Sequence, residues 1–410
     1  MKKNINNSLT CRFCNTELKH TFVDLGMSPL ANAYIKPEEK NKAEMFYPLH
    51  VYVCDKCFLV QLPSTISREI HFNDKYAYFS SYSQNWLLHA KDYASMMVKR
   101  FGYNKKSFVV ELGSNDGYLL QYFKEKSVPV LGIEPCANVA KAARKIGIKT
   151  LIEFFGVKMS KKLKKKGIKA DLIIGNNVLA HVPDINDFVK GIKIILAPKG
   201  VVTIEFPHLK NLIDKVEFDT IYHEHYSYLS LITVEKIFTF HGMTIFDVEE
   251  IPTHGGSLRI FAKHTNNNDL SIEKNVIDLR KKEVDAGFKK ISMYEGFQEK
   301  VVETKRQFIE YLAKQKKGGK KIVAYGAPAK GNTFLNYCGV GTEFIDYTVD
   351  ASPHKQRHLL PGTHIPIYAP SMIKKTKPDI VLILPWNLKK EIQDQMNFIH
   401  SWGGKFLVVV

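Results

Sequence analysis

From Ser107 onward the chain alternates short apolar runs with longer amphipathic stretches, and this rhythm constrains the fold more than any other feature. The runs at 108–112, 130–134, 171–175 and 200–205 are nearly continuous in apolar residues, as strands are when a parallel sheet buries both faces. Strands and helices in that order specify an open, doubly wound α/β sheet. Residues 244–248 and 257–262 supply its last strands. Charge-rich helices follow over 266–313, then a Lys/Gly linker at 316–320. A second α/β unit has strands expected at 322–325, 344–349, 380–383 and 406–410. A chain of 410 residues exceeds one ordinary core. It divides into a small module over 1–72, an α/β domain over 73–265, and a helical connector with a second α/β domain over 266–410.

Two C-x2-C pairs, Cys11/Cys14 and Cys54/Cys57, mark the first module, while Cys136 and Cys338 stand alone. Each short turn presents two thiolates to one point, and four thiolates complete the closed tetrahedron of a structural Zn2+ site. No ligand position is left for water, so the metal is structural rather than catalytic. No apolar run approaches the roughly 20 residues needed to span a bilayer. Met1–Thr10 also lacks the apolar core of a signal peptide, so the expected location is the cytoplasm. The net charge of +18 would suit an anionic partner. Its densest runs, 161–166 and 316–321, nevertheless read as a helix surface and a linker without interleaved aromatics, so no nucleic acid or membrane partner is expected.

The first strand of the central domain ends in Glu111-Leu112-Gly113-Ser114-Asn115-Asp116-Gly117, and the second in Glu134-Pro135. Glycines let the backbone turn sharply against a ligand, and an acidic residue at the second strand terminus can accept both hydroxyls of a ribose. The loop lacks both the G-x-G-x-x-G dinucleotide spacing and the G-K-[ST] of a phosphate loop, which points away from NAD and ATP. These features resemble the first two motifs of class I S-adenosylmethionine (SAM)-dependent methyltransferases, whose central domain is Rossmann-like. The resemblance implies a SAM site at Glu111, Gly113, Asn115, Asp116, Gly117 and Glu134. It also places Phe154 beside the adenine, and Asn176 and Asn177 beneath the sulfonium.

Tyr222-His223-Glu224-His225-Tyr226-Ser227-Tyr228 misses the H-E-x-x-H spacing of a zinc protease. In an extended or turning segment alternate residues share a side, which groups Tyr222, Glu224 and Tyr226 apart from His223 and His225. So many ionisable groups are costly to gather for packing alone. Carbon is a poor nucleophile, and methylating it requires removing a proton acidified by a neighbouring carbonyl. A histidine suits that task, and the enolate then needs hydrogen-bond donors at its oxygen.

The cysteine pairs, the Glu111–Gly117 loop, the Tyr222–Tyr228 cluster and Tyr325-Gly326-Ala327-Pro328-Ala329-Lys330-Gly331-Asn332 together resemble the sugar C-methyltransferase family that makes branched deoxysugars. The resemblance covers nearly the whole chain, in family order. It implies that His225 is the base at C3 of a nucleotide-linked 4-keto-deoxy sugar. Tyr222, Glu224, His181 and Tyr76 would then surround the hexose, although His181 on its own reads equally as a capping or core histidine. The second α/β domain, Rossmann-like as well, would hold the nucleotide diphosphate through Gly326, Lys330, Gly331, Asn332 and Asp350. Lys355 and Arg357 lie nearby, although each reads equally as a solvent-facing residue. Deoxythymidine diphosphate is the expected carrier, with guanosine and cytidine diphosphate open. Two other readings remain: a zinc-ribbon nucleic-acid methyltransferase and a non-catalytic nucleotide-sugar-binding protein.

Overall fold

This computed structural model describes residues 9–74, 76 and 78–409. The first eight residues of the expected 1–72 module, and Val410 of the last expected strand, lie outside the described residues. Strands β1 (His20–Pro29), β2 (Phe46–Val53) and β3 (Val60–Gln61) form an antiparallel sheet. Its fourth strand comes from far along the chain: Ser227–Tyr228, β9 in chain order, pairs with β3. The segment that carries the histidine cluster therefore runs straight into the sheet of the cysteine module.

The central sheet contains β4 (Val109–Leu112), β5 (Val130–Ile133), β6 (Thr150–Leu151), β7 (Ala170–Asn176), β8 (Leu196–Pro207), β10 (Met243–Ile251) and β11 (Ser257–His264). Their spatial order is β10-β11-β8-β7-β4-β5-β6, parallel except that β11 runs against both of its neighbours. The chain builds outward from β4 through β5 to β6, then returns to β7, so the switch point lies between β4 and β7. Ligands of such sheets bind at the carboxyl ends of the strands at that crevice. The helix Gln84–Phe101 covers one face with Ala90, Tyr93, Ala94 and Met97, a three-and-four spacing that keeps one stripe apolar. Ser83 caps its start by accepting from Trp86 N, and Gly102 ends it in the left-handed conformation.

The third sheet is fully parallel, with β12 (Ile322–Tyr325), β13 (Thr348–Val349), β14 (Ile367–Tyr368), β15 (Ile380–Ile383) and β16 (Lys405–Leu407) in the order β14-β13-β12-β15-β16. Its switch point lies between β12 and β15. Sequence reading placed a strand across 344–349, but Phe344 and Ile345 close a turn onto the carbonyl of Gly341 and only the last two residues pair. The short edge strand β14 was missed altogether.

The Lys/Gly linker expected at 316–320 is also corrected. Helix Phe297–Lys317 takes in its first two residues, and the chain turns at Gly318 and Gly319. Lysine is a good helix former, and cations at a helix C-terminus face the negative end of its dipole.

The cysteine module is wedged between the two α/β domains. Phe22 of β1 stacks on Phe297 at 4.6 Å, in a core that continues to Ile322 and Leu335 of the C-terminal domain. Cys11, Phe13 and Leu59 instead join the core of the central domain, with Ile185 and Val234. Among the described residues no helix is long and apolar enough to cross a membrane.

Candidate functional site

The two cysteine turns share one geometry. Asn15 N donates to Cys11 O at 2.9 Å with Asn15 at φ 60°, and Phe58 N donates to Cys54 O at 2.9 Å with Phe58 at φ 66°. Each turn aims its thiols inward, and the four ligand atoms of Cys11, Cys14, Cys54 and Cys57 lie within 4.8 Å of one another. The Sγ atoms of Cys11 and Cys57, and those of Cys14 and Cys54, are 3.5 Å apart. A tetrahedron with Zn–S near 2.3 Å has edges of about 3.8 Å, so the donor set fits Zn2+. Hydrogen bonding from Cys54 and then Cys57 holds the Cys11 thiol down to about 3. Gln61 Nε2 donates to Cys11 Sγ at 3.2 Å, which ties the cluster to the strand that pairs with β9.

At the first switch point Gly113 adopts φ 63°, and a Cβ there would lie 2.7 Å from Val178 Cγ2, so the loop and the end of β7 meet at a distance only glycine allows. Glu111 is 1% exposed, and apart from the nearby Tyr118 phenol neither carboxylate oxygen has a hydrogen-bond partner. Burial, then the charges of Asp116 and Glu134, push it well above the usual carboxylate range. Both side-chain heteroatoms of Asn176, together with Asn177 Oδ1 and Ser114 Oγ, are likewise buried without partners. A crevice that gathers unpaired polar atoms and a buried carboxyl suits a ligand bringing its own hydrogen-bonding groups and positive charge, as the amino and sulfonium groups of SAM do.

The neighbouring residues are already engaged. Glu134 accepts from Asn115 N and Cys136 N, both at 2.9 Å. The Asn115 side chain accepts from Ser80 N at 2.9 Å, and Asp116 Oδ2 accepts from Ser81 N and Oγ at 3.1 and 2.6 Å. These two residues therefore hold the aromatic segment beginning at Tyr76 against the loop that ends at Gly117. Phe154 has the Arg68 guanidinium over its ring at 4.1 Å.

In the histidine cluster, His225 N donates to Tyr222 O at 2.8 Å, closing a turn. A turn brings residues i and i+3 together, so the expected alternation fails: the rings of Tyr222 and His225 lie 4.0 Å apart. His223 points away to Pro48 O, and Tyr226 packs against His71 and under Arg12. The turn brings in His181 as well, its ring 4.6 Å from that of His225. Phe72 links His181 and Tyr76, with ring distances of 5.8 and 5.6 Å.

His225 Nδ1 donates to the Thr220 carbonyl at 2.8 Å, which fixes the tautomer and leaves the Nε2 lone pair free. Burial, then the adjacent His181, holds its pKa well below the usual imidazole value. Burial pushes Glu224 up to about 7 against one opposing contact, the 2.6 Å hydrogen bond from Asn32 Nδ2.

At the second switch point Lys330 Nζ lies 4.2 Å over the Trp386 ring and donates to Asn387 Oδ1 at 2.9 Å. Trp386 Nε1 donates to Asp219 Oδ2 at 2.6 Å, one residue before the carbonyl that holds His225. Burial raises Asp219 to about 6 and Glu217 to about 7. Gly326, at φ 93°, packs against Pro385, and a Cβ on Gly331 would meet Leu384 at 2.9 Å, so both glycines are sites of close packing. Asn332 donates to Ala31 O at 2.6 Å. Asp350 accepts from Ala327 N and Ser352 N at 2.8 Å each and lies 3.7 Å from Lys355, whereas Arg357 is exposed.

Sequence reading missed Asn32, Arg68, Asp219 and Trp386. Trp386 alone had a signal, since it follows a buried strand at a second α/β crevice.

Three protein-family models match the chain in succession: "Putative zinc binding domain" over residues 11–72, "Methyltransferase domain" over 86–248 and "C-methyltransferase C-terminal domain" over 252–410. The C-methyltransferase NovU of Streptomyces niveus is 32% identical over 400 residues, spanning 98% of this chain and 95% of NovU. Among solved structures, PH0226 protein from Pyrococcus horikoshii OT3 aligns with a TM-score of 0.38 at 14% identity, over 46% of this chain and 95% of its own. The magnesium protoporphyrin IX methyltransferase of Synechocystis PCC 6803 with bound SAM aligns at 0.34 and 14% identity, over 43% and 79%.

Proposed function

Because this chain belongs to the C-methyltransferase family, with SAM and structural zinc as its cofactors, we propose that it methylates C3 of a nucleotide-linked 4-keto-deoxyhexose through a base-generated enolate. The observation that carries this reading is His225, with Nδ1 pinned to the Thr220 carbonyl, Nε2 left free, and the rings of Tyr222 and His181 packed beside it. His225 Nε2 takes the C3 proton, the C–H bonding pair becomes the C3–C4 double bond, and the carbonyl π pair moves onto the ketone oxygen as an enolate. Tyr222, Tyr76 and the protonated form of Glu224 supply donors to that oxygen, each kept uncharged by burial. When bound, SAM supplies an electrophilic methyl group, whose bond to sulfur breaks with its electron pair as the new carbon–carbon bond forms. Glu111, Asn176 and Asn177 would hold SAM, and Zn2+ on the four cysteines would cross-link the N-terminal turns. In the C-terminal domain Lys330 and the N-terminal amides of helix Ala329–Cys338 face the expected diphosphate end.

A labelling assay tests this reading. Protein given CD3-labelled SAM with dTDP-, GDP- and CDP-linked 4-keto-deoxyhexoses and an RNA pool should label one sugar nucleotide. NMR then locates the methyl group, since a 4-ketone acidifies both C3 and C5. Label in RNA would favour a nucleic-acid methyltransferase. Tight sugar-nucleotide binding without label would leave a non-catalytic binder.

A further inference from the structure

We propose that Asn32, carried to the site by the zinc module, is a positioning residue: its amide N–H occupies Glu224 Oε1, so that the proton Glu224 donates resides on Oε2. The inference rests on the role proposed above for Glu224. Asn32 lies in the turn between β1 and β2, where Ala33 N closes onto Leu30 O at 3.0 Å. That turn is clamped to the C-terminal domain on three sides. Asn332 donates to Ala31 O, Tyr34 donates its hydroxyl to Ala327 O at 2.5 Å, and Ile35 exchanges backbone hydrogen bonds with Leu359 at 3.0 and 2.8 Å.

The other partner is clamped to the same module. Gln61 and Ser227 are paired across β3 and β9, and Leu62 N donates to Tyr226 O at 3.0 Å. Donor and acceptor are therefore both fixed to the zinc module's sheet, although they are 192 residues apart in sequence.

The groups facing Glu224 are the phenols of Tyr34, Tyr76, Tyr222 and Tyr226, the Cys136 thiol and His181. Burial keeps all of them neutral near pH 7: it lowers His181 to about 4 and raises the thiol and the phenols. Among the described residues only the Asn32 amide opposes the effect of burial on Glu224. Removing it takes away a donor that favours the carboxylate, so Glu224 must then release its proton at higher pH.

The test is a carboxyl 13C-NMR titration of Glu224 in the zinc-loaded, full-length protein, with the signal assigned by its loss in Glu224→Gln. In Asn32→Ala the midpoint should rise by about one pH unit. In the isosteric Asn32→Asp, two carboxyls share one proton, and the upper step should move higher still. With a dTDP-linked 4-keto-deoxyhexose as probe, the alkaline limb of kcat/KM should shift with the NMR midpoint while KM stays within about twofold. An unchanged midpoint in both variants overturns the proposal. His225→Ala, run in parallel, separates the two claims: if it keeps turnover, the proposed base is wrong, whatever Asn32 does.

Discussion

Burial moves His225 and Glu224 in opposite directions, because in both cases it disfavours the charged form. The imidazole becomes neutral at a pH below its usual range, and the carboxyl keeps its proton up to about pH 7. Activity should therefore rise as His225 loses its proton, well below the ordinary imidazole value, and fall as Glu224 loses its own near 7. A kcat/KM profile checks this. Glu224→Gln should abolish the alkaline limb, since a glutamine amide donates without titrating, and a limb that persists would assign the titration elsewhere. Gly113→Ala should weaken SAM binding about tenfold or more, because a left-handed alanine costs about 1–2 kcal/mol and its methyl would displace Val178. Calorimetry with SAM reads that directly. Tyr222, Glu224 and His225 of this candidate site were legible in the sequence because they cluster within four positions. Their partners were not, since the Thr220 carbonyl carries no side-chain signal and Asn32 sits in an unpatterned loop.

At the level of elements, the buried strands announced themselves through continuous apolar runs, and the cysteine spacing specified the two metal turns. Turn geometry was less legible. The Tyr222–His225 turn reorders which side chains meet, and strands as short as β9 and β14 carry no periodicity to detect. The metal turns make the sharpest prediction at this scale: one Zn2+ per chain, lost in Cys54→Ser. That variant should also melt at least about 5 °C lower, as 1 kcal/mol corresponds to roughly 4–8 °C in a domain of 60–100 residues. Full zinc content in Cys54→Ser, measured by metal analysis, would contradict the site.

The whole molecule places the zinc module between two α/β domains, sharing a core with each and holding the segment that carries His225 and Glu224. Sequence order disclosed the three parts but not this wedge, because contacts between Cys11, Gln61 and Ser227 join residues with no common pattern. The arrangement puts the proposed SAM crevice and Lys330 at the switch points of different sheets. Lys330→Ala should thus weaken binding of the sugar nucleotide while leaving SAM affinity within about twofold, and calorimetry with each ligand distinguishes this from general damage. The central claim, that His225 removes the proton from the acceptor carbon, is tested most directly in D2O. The native protein should exchange the C3 hydrogen of its sugar nucleotide for deuterium. His225→Ala, with zinc and both ligands still bound, should lose that exchange and about 10^2- to 10^4-fold of methyl transfer. Undiminished exchange by His225→Ala would contradict the account and move the base to another residue of the cluster.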